Sequence, residues 1–273
     1  MRIDPRTSWR GAALPIVLLV FLGGTLLLAC FAAAAAEDSA GGPGADWKSW
    51  RAHNDLNNKD SLQRGARNFF NYCVGCHSLK YERYSRLGED LKIPPALLAK
   101  DIIQPGDKPT QYILTSMPAA DAEVWFGKVP PDLSLIARSR GADYLYQFLK
   151  TFYLDPTRQT GANNMRLPNT AMPDVVSSVE GVKVPVYKAV HTQGADGKVA
   201  TEQVFDHFQS VAPGRMTAEQ FDTFVRDTVN FLDYVGEPTQ VARRALGVWV
   251  VLFLLAFTWL AWLMKKEYWK DVH

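Results

Sequence analysis

The sequence predicts a mainly α-helical domain with long loops, joined to a single transmembrane helix near its C-terminus. Three observations lead to this prediction: a charge-free apolar run close to the C-terminus, three segments whose apolar residues recur at helical spacing, and proline-rich stretches between those segments. The 273 residues are 47% hydrophobic and 21% charged, which excludes a disordered chain, and the length leaves room for one sizeable or two small domains.

The N-terminus has the three parts of a secretory signal peptide. Three arginines among the first ten residues precede an uncharged run, residues 11–36, that ends in five alanines. A basic start, an apolar middle and small residues before the cut favour a signal peptide over residues 1–36, cleaved near Ala36. Two alternatives stay open: the 26-residue run is long enough for a retained membrane anchor, and the residues before Cys30 look like a lipoprotein processing site.

A second apolar run, residues 246–264, has 19 residues and no charge. A helix of that length spans about 28 Å, the thickness of a bilayer's hydrocarbon core. Basic pairs bracket the run and three tryptophans lie inside it, which favours a membrane helix over a buried soluble one. We predict a transmembrane anchor over residues 241–264. The direction that a signal peptide imposes then gives an exported body, residues 37–240, and a cytoplasmic tail, residues 265–273.

The exported body is mildly acidic, with 22 Lys and Arg against 25 Asp and Glu in residues 37–240. A nucleic-acid-binding protein needs a basic face, so this charge balance argues against nucleic acid as a partner. Three cysteines in the whole chain are too few for a disulfide-stapled scaffold, and two of them lie three positions apart. This close spacing indicates a chemical role for the pair.

Three helices are predicted in the exported body. The first is capped at residues 60–61 and leads directly to Cys73, and the second covers residues 142–154. The third begins at a capping box formed by Thr217 and Gln220. All three place apolar side chains at intervals of three and four residues, so each presents one face to a core.

Long loops separate these helices. Residues 91–132 contain seven prolines, and residues 155–174 are polar and rich in Gly, Asn and Pro, so neither stretch supports long regular elements. Residues 182–191 and 198–200, on either side of a Gly-Ala-Asp-Gly turn, predict a small β-hairpin. A domain with so many long loops needs a large group, such as a cofactor, against which the loops can pack.

The motif that carries chemistry is Cys73-Val74-Gly75-Cys76-His77. This CxxCH pattern is the attachment signature of c-type haem. Two thiols one helical turn apart can each add to a vinyl group of the macrocycle, and the histidine that follows then lies beneath the ring as the proximal iron ligand. Haem is attached outside the cytoplasm, where the signal peptide sends the body. We therefore predict one covalent haem c held by Cys73, Cys76 and His77.

Other uses of a CxxC pair are weaker. A zinc site needs four ligands, and no second Cys/His pair completes the set. A thioredoxin-like dithiol follows a strand, whereas an amphipathic helix precedes Cys73 here. A non-haem scaffold is a further alternative, and a pyridine haemochrome assay would exclude or establish it.

The sequence pattern leaves several candidates for the second iron ligand. Met172 is the first candidate, because Pro173 stiffens its loop and lets a thioether reach iron without helical support. Met117, which precedes Pro118, is the second. The body offers five more: Met165, Met216, His53, His191, His207. A His/Met pair raises the reduction potential relative to two histidines and favours electron transfer over ligand binding.

Three stretches accompany the CxxCH motif in a fixed order. The first is the haem segment: Cys76-His77-Ser78-Leu79-Lys80-Tyr81. The second is an internal motif followed by two arginines: Pro130-Pro131-Asp132-Leu133-Ser134, Arg138, Arg140. The third precedes the membrane helix: Phe231-Leu232, Glu237-Pro238, Arg243-Arg244. Together they resemble the cytochrome c1 family over nearly the whole exported body.

The resemblance implies a c-type cytochrome fold with long loop insertions, plus the C-terminal transmembrane helix. Position by position, it assigns the following roles: thioether links at Cys73 and Cys76, proximal ligand at His77, distal ligand at Met172. It also implies that Arg140 lies beside a haem propionate, which a guanidinium fork suits, and that Pro131 packs against the ring. Without the resemblance, Arg138 and Arg140 are interpreted as two surface arginines on a short helix.

The function that the resemblance implies is electron transfer. It implies a non-catalytic redox subunit of a cytochrome bc1 complex, which takes one electron at a time from the Rieske iron–sulfur protein and passes it to a cytochrome c. Cytochrome b and the lipid bilayer are further expected partners, in a dimeric complex of a bacterial inner membrane with the haem domain on the periplasmic side. Two alternatives stay open: another membrane-anchored monohaem cytochrome that donates to a terminal oxidase or reductase, and a haem enzyme or sensor with an open iron site.

Overall fold

The computed structural model describes residues 46–193 and 199–270. The predicted signal peptide and the predicted hairpin turn at residues 194–197 lie outside the described residues, as do the last three residues of the tail. Regular elements follow in this order, after a 3-10 turn at Trp47–Ser49: α1 Lys59–Tyr72, β1 Leu79–Arg83, α2 Tyr84–Leu91, short helical turns Pro95–Leu97 and Leu98–Ile102, β2 Tyr112–Ile113, α3 Ala119–Phe126, α4 Ile136–Arg140, α5 Ala142–Lys150, β3 Phe152–Leu154, β4 Ala162–Asn164, α6 Ser177–Glu180, β5 Gly181–Gln193, β6 Val199–Pro213, α7 Ala218–Gly236, α8 Gln240–Tyr268.

Helices α1 and α7 pack directly on each other at the centre of the core. On α1, Leu62 and Phe69 are buried at helical spacing, and the Phe69 ring centroid lies 5.8 Å from that of Phe231 on α7. Gly65 makes this contact possible, because a Cβ at this position would lie 2.0 Å from the backbone oxygen of Asp227. The close packing places the end of α1 at a defined point in the body.

Polar side chains join the same two helices. The Arg64 guanidinium donates two hydrogen bonds to the Asp227 carboxylate, at 2.6 and 3.0 Å. The buried Asn68 amide donates to the Phe224 carbonyl and to the Thr228 hydroxyl, each at 3.1 Å. Because these groups meet in only one alignment of the helices, they fix the position of α1 along the axis of α7.

The first and third predicted helices are present. The first begins at Lys59, because the side chain of Asn58 accepts a hydrogen bond from the Ser61 amide at 3.0 Å and is the N-cap. The prediction of a cap at residues 60–61 is therefore wrong by two positions. The predicted capping box between Thr217 and Gln220 is confirmed at the start of α7.

The second predicted helix ends earlier than expected. Helix α5 ends at Lys150, and residues 152–154 form strand β3 instead of a last helical turn. Phe152 is fully buried there and pairs with Asn164 of β4, so the strand combines a buried ring with backbone pairing. Strand β4 lies within the predicted loop 155–174, which has no other helix or strand.

The β-hairpin is longer than predicted. Strands β5 and β6 pair antiparallel from Gly181 with Pro213 to Gln193 with Val199. Apolar and polar residues alternate only in part along residues 201–213, so the sequence signal for the second strand is weak. Between residues 91 and 132, by contrast, the elements are short, as the prolines predict.

Helix α8 runs over 29 residues, Gln240–Tyr268, or about 43 Å. It includes the predicted run 246–264, and none of its residues is buried in the body. In the part of the chain that the structure describes, it is the one helix long and apolar enough to cross a membrane. The observed architecture confirms a mainly α-helical chain with a C-terminal anchor helix.

Candidate functional site

The CxxCH turn, residues 73–77, begins where α1 ends. The Cys73 amide donates to the Phe69 carbonyl at 2.8 Å, and the His77 amide donates to the Cys73 carbonyl at 2.8 Å, so the motif adds one helical turn to α1. Cys73 and Cys76 are free, partly buried thiols. Burial raises the pKa of the Cys73 thiol to about 12, so the thiol is protonated. The two sulfurs lie one turn apart and are free to form covalent bonds.

The chain holds His77 in one tautomer. Its Nδ1 lies 2.7 Å from the backbone oxygen of Pro131. A carbonyl oxygen only accepts hydrogen bonds, so this contact assigns the proton to Nδ1 and leaves Nε2 with the lone pair that a metal ligand needs. Burial also lowers the pKa of the ring, which favours the neutral form. The structure thus brings two predicted site residues, His77 and Pro131, into direct contact.

The segment that supplies this carbonyl, residues 130–134, is fastened to the strand that follows the CxxCH turn. The two Asp132 carboxylate oxygens accept hydrogen bonds from the Lys80 amide at 2.8 Å and from the Ser134 amide at 3.0 Å. The hydroxyl of fully buried Ser134 accepts from the Tyr81 amide at 3.2 Å. These bonds hold the proline carbonyl against the histidine.

Asp132 and Ser134 are site residues to which the sequence pattern assigns no role. Both belong to the internal motif of residues 130–134, of which only Pro131 is assigned one. A usable signal is present: an aspartate that follows two prolines and precedes a serine by two positions is typical of an Asx turn, in which the carboxylate accepts from the amide two residues on.

A cavity of about 230 Å³ opens beside Cys76. Its apolar walls include Leu114, Met117, Val129 and Pro130. Leu114 and Val129 stay 51% and 43% exposed there, although the chain has a well-formed core elsewhere. Open apolar walls next to two free thiols suit a large apolar group.

Met117 lies beside the CxxCH turn. The Thr115 hydroxyl donates to the Gly75 carbonyl at 2.8 Å, and the Thr115 amide donates to the Ser78 hydroxyl at 2.9 Å. The Met117 amide donates to the Thr115 hydroxyl at 3.2 Å. The segment that carries Met117 is therefore bonded to the same turn that carries the thiols.

Met172 lies on a different segment, residues 165–176, called the distal loop below. The side chain is half-buried, and the Met172 amide donates to the Thr170 hydroxyl at 3.3 Å. The end of the loop is anchored in the core by buried Val176, and Val179 follows on α6. The two predicted iron ligands, His77 and Met172, thus come from two separate segments of the chain.

The other candidate ligands occupy varied positions. Met165 begins the distal loop, and Met216 packs against the core before α7. His53 is exposed, as are His191 and His207, which lie on the hairpin strands.

Arg140 lies at the end of α4 and lines a cavity of about 380 Å³. The same cavity is lined by Lys48, Arg51 and Arg166, whereas Asp143 is the one carboxylate among its lining residues. Four cations against one carboxylate create a positive potential, which attracts anionic groups.

Arg138, the other arginine of α4, has a structural neighbour. Its Nη1 lies 3.8 Å from Oε2 of Glu237, and the Arg243 guanidinium donates to Oε1 of the same carboxylate at 2.6 Å. The Arg243 contact lowers the pKa of Glu237, which is therefore ionised. Glu237 thus links α4 to the start of α8.

Comparisons with known proteins give the family. A family model described as the Cytochrome C1 family matches residues 47–272. The chain is 44% identical to cytochrome c1 of Allochromatium vinosum, over 81% of this chain and 88% of that protein. It is 40% identical to the ammonia monooxygenase gamma subunit of Nitrosomonas europaea, over 84% of this chain and 91% of that protein. The chain belongs to the cytochrome c1 family.

Proposed function

We propose that the chain carries one covalently bound haem c and is the electron-transfer subunit of a cytochrome bc1 complex. The observation that supports this most directly is the 2.7 Å contact between His77 Nδ1 and the Pro131 carbonyl, on a turn that carries two free thiols. The contact leaves Nε2 for iron, and the thiols remain for thioether bonds. Membership of the cytochrome c1 family supports the same proposal.

The residues present fit a haem c. Cys73 and Cys76 offer two sulfurs, His77 offers a nitrogen whose tautomer is set, and the apolar cavity beside Cys76 suits the edge of a macrocycle. When bound, the haem iron supplies reversible one-electron chemistry, which these side chains lack on their own. The role of the protein is to hold the haem, to orient its ligands and to exclude water from one edge of the macrocycle.

Met172 is the distal ligand in this proposal. Met117 is bonded through Thr115 to the CxxCH turn itself. Met172 comes from a separate loop that ends in the core, and its thioether would be the second protein ligand of the iron. With His77 and Met172 both as ligands, the iron would keep no position for a substrate, which would suit a relay rather than an oxidase or a sensor.

The cationic cavity supports the role assigned to Arg140. A haem brings two propionates, and a partly buried carboxylate needs charged donors. Arg140 follows the segment that holds His77, and Arg166 lies on the distal loop that carries Met172. The cavity is thus lined by the helix that follows the segment in contact with His77 and by the loop that carries Met172, and we assign it to the propionates.

The remaining parts of the proposal concern partners and place. The donor is the Rieske iron–sulfur protein, the acceptor is a cytochrome c, and cytochrome b completes a dimeric complex. Helix α8 anchors the chain in a bacterial inner membrane, with the haem domain in the periplasm and residues 265–273 in the cytoplasm. Residues 1–36 act as the signal peptide. The acidic balance of the body favours a basic cytochrome c as acceptor.

A second candidate function comes from the relative in Nitrosomonas europaea, whose name describes a subunit of an ammonia monooxygenase. In that case the chain is a membrane-anchored monohaem cytochrome that serves another complex. The site geometry suits both functions, because the same residues would hold the haem in either complex.

Purification of the full chain in mild detergent, with identification of the subunits that accompany it, tests the proposal. We expect a cytochrome b and a Rieske protein in stoichiometric amounts, and quinol-dependent reduction of the c-type haem. Co-purification with monooxygenase or terminal oxidase subunits, without cytochrome b, would support the second candidate instead.

A further inference from the structure

The distal loop has no helix or strand of its own, although it delivers a predicted iron ligand. Backbone amides in such a segment need acceptors that the regular ladders of helices and sheets do not provide. In this loop four amides donate to side-chain oxygens of two asparagines and a threonine. The Met165 amide donates to the Thr151 carbonyl at 3.1 Å, and the Thr170 amide donates to the Leu167 carbonyl at 3.2 Å.

Asn164 supplies two of these bonds. The side chain is fully buried at the end of β4, and its Oδ1 accepts from the Arg166 amide at 2.8 Å and from the Leu167 amide at 3.0 Å. Its Nδ2 donates to the Phe148 carbonyl at 2.7 Å. One buried amide group therefore fastens the start of the distal loop to helix α5.

Asn163 and Thr170 each supply one more side-chain acceptor. Asn163 is 7% exposed, and its Oδ1 accepts from the Asn169 amide at 2.8 Å. Asn169 has a φ of 64°, in the left-handed region that asparagine tolerates. The Thr170 hydroxyl accepts from the Met172 amide at 3.3 Å. The path of the backbone from β4 to the methionine is thus specified bond by bond.

We propose that Asn164, assisted by Asn163 and Thr170, is a positioning residue that sets where the Met172 thioether lies. The inference rests on the proposed function, in which Met172 ligates iron. Without the Asn164 side chain, two loop amides, the Thr151 hydroxyl and the Phe148 carbonyl lose a partner inside a buried site. The start of the loop is then held by the bond from the Met165 amide to the Thr151 carbonyl. A thioether carried on a loosened loop binds iron weakly, since the ligand bond then has to order the loop as well.

The test compares Asn164→Ala with a matched control, Asn230→Ala, in the full chain with haem. Asn230 is also a buried asparagine, 3% exposed, whose Nδ2 donates to the Asp55 carbonyl at 2.8 Å and to the Ser61 hydroxyl at 3.0 Å, away from the distal loop. Three readouts report the iron–thioether bond: the charge-transfer band of the ferric protein, binding of carbon monoxide to the ferrous protein, and the midpoint potential. Met172→Leu serves as the reference for a lost ligand.

We expect Asn164→Ala to lose the band, to bind carbon monoxide and to lower the midpoint potential, as Met172→Leu does. We expect Asn230→Ala to keep all three properties of the unmodified protein, even though it unfolds more easily. If Asn164→Ala keeps the band and the potential while Met172→Leu loses them, the positioning role is wrong and the ligand assignment stands. If Met172→Leu keeps the band, the ligand assignment itself is wrong and the positioning role is overturned with it.

A milder variant covers the case in which Asn164→Ala does not accumulate. Thr170→Val keeps the shape of the side chain and removes the single acceptor for the Met172 amide. We expect it to bind carbon monoxide measurably, where the unmodified protein does not. No binding in a folded Thr170→Val protein would overturn the inference.

Discussion

The CxxCH turn and the distal loop deliver one predicted iron ligand each, by different physical means. The turn continues α1, whose apolar face and Gly65 pack against α7 at the centre of the core. The distal loop has no regular element, and Asn163, Asn164 and Thr170 hold its amides one by one. The first ligand depends on helix packing, and the second depends on local hydrogen bonds.

The difference has an energetic side. Each large apolar side chain buried between α1 and α7 contributes about 1.5–3 kcal/mol, whereas each hydrogen bond of the distal loop contributes about 0.5–1.5 kcal/mol. Damage to the contact between α1 and α7 therefore acts through global unfolding, while damage in the distal loop acts through local opening of a folded protein.

The largest effect is expected where α1 touches α7. In Gly65→Ala the new Cβ would lie 2.0 Å from the backbone oxygen of Asp227 and 2.6 Å from Cβ of Phe231, so the helices must separate. We expect the free energy of unfolding to fall by about 3 kcal/mol, the upper range for overpacking. The same substitution at Gly75, where a Cβ meets no atom within 4 Å, is the control and should change it by less than about 0.5 kcal/mol. Urea titration followed by circular dichroism measures the free energy of unfolding of both variants. Equal losses of stability in Gly65→Ala and Gly75→Ala would refute the role of the close contact between α1 and α7.

A smaller effect, on pH dependence, is expected at Glu82 in β1, just after the CxxCH turn. Burial raises the pKa of Glu82 to about 7, with Asp90 adding to the rise and Arg86 opposing it, and the Tyr234 hydroxyl lies in the same cluster. The folded state thus binds the proton more tightly than the unfolded state, so stability falls as pH rises from about 4.5 to about 7.

Glu82→Gln removes this dependence because glutamine does not titrate. We expect it to raise the free energy of unfolding at pH 8 by about 2 kcal/mol, somewhat less than the full linkage value for such a shift, and to have a smaller effect at pH 5. Glu89→Gln, a change of the same kind at an exposed acid of α2, is the control. Urea titrations across pH 5–8 measure the slope, and an unchanged slope in Glu82→Gln would count against a buried proton at this position.

The smallest effect on stability is expected at Asp132, which holds the Pro131 carbonyl against His77. Asp132→Ala removes the acceptors for two backbone amides, at an expected loss of about 1–2 kcal/mol, and lets the imidazole reorient. Asp132→Asn keeps one carbonyl acceptor, so its free energy of unfolding should lie between those of Asp132→Ala and the unmodified protein. The midpoint potential is the decisive measurement, since a loosened imidazole changes the iron's ligand field. A potential in Asp132→Ala identical to that of the unmodified protein would show that the proline carbonyl needs no such support.

The same contrast explains what the sequence predicts well. Three features have a clear signal in the sequence, as a fixed spacing or a long apolar run: the CxxCH motif, the capping box at Thr217 and the charge-free run in α8. The structure has the corresponding elements. The break of the second helix at Lys150 is different, because residues 152–154 become a strand only when β4 is there to pair with them.

The polar residues that shape the site are the hardest to find from sequence. Their side chains accept hydrogen bonds from backbone amides elsewhere in the chain, three residues away for Asn164, six for Asn163 and 52 for Asp132. No periodic pattern in the sequence marks such bonds. In the sequence, the asparagines only make residues 155–174 look like an irregular loop. Their role depends on burial, which becomes visible once the chain is folded.

The most direct test of the account is the intact mass of the purified mature chain, read together with a pyridine haemochrome spectrum. Covalent attachment predicts a mass above that of the polypeptide by one haem, retained after denaturation, and absent from a Cys73→Ser, Cys76→Ser double variant. A mass equal to that of the polypeptide alone, in a colourless protein, would contradict the account at its centre.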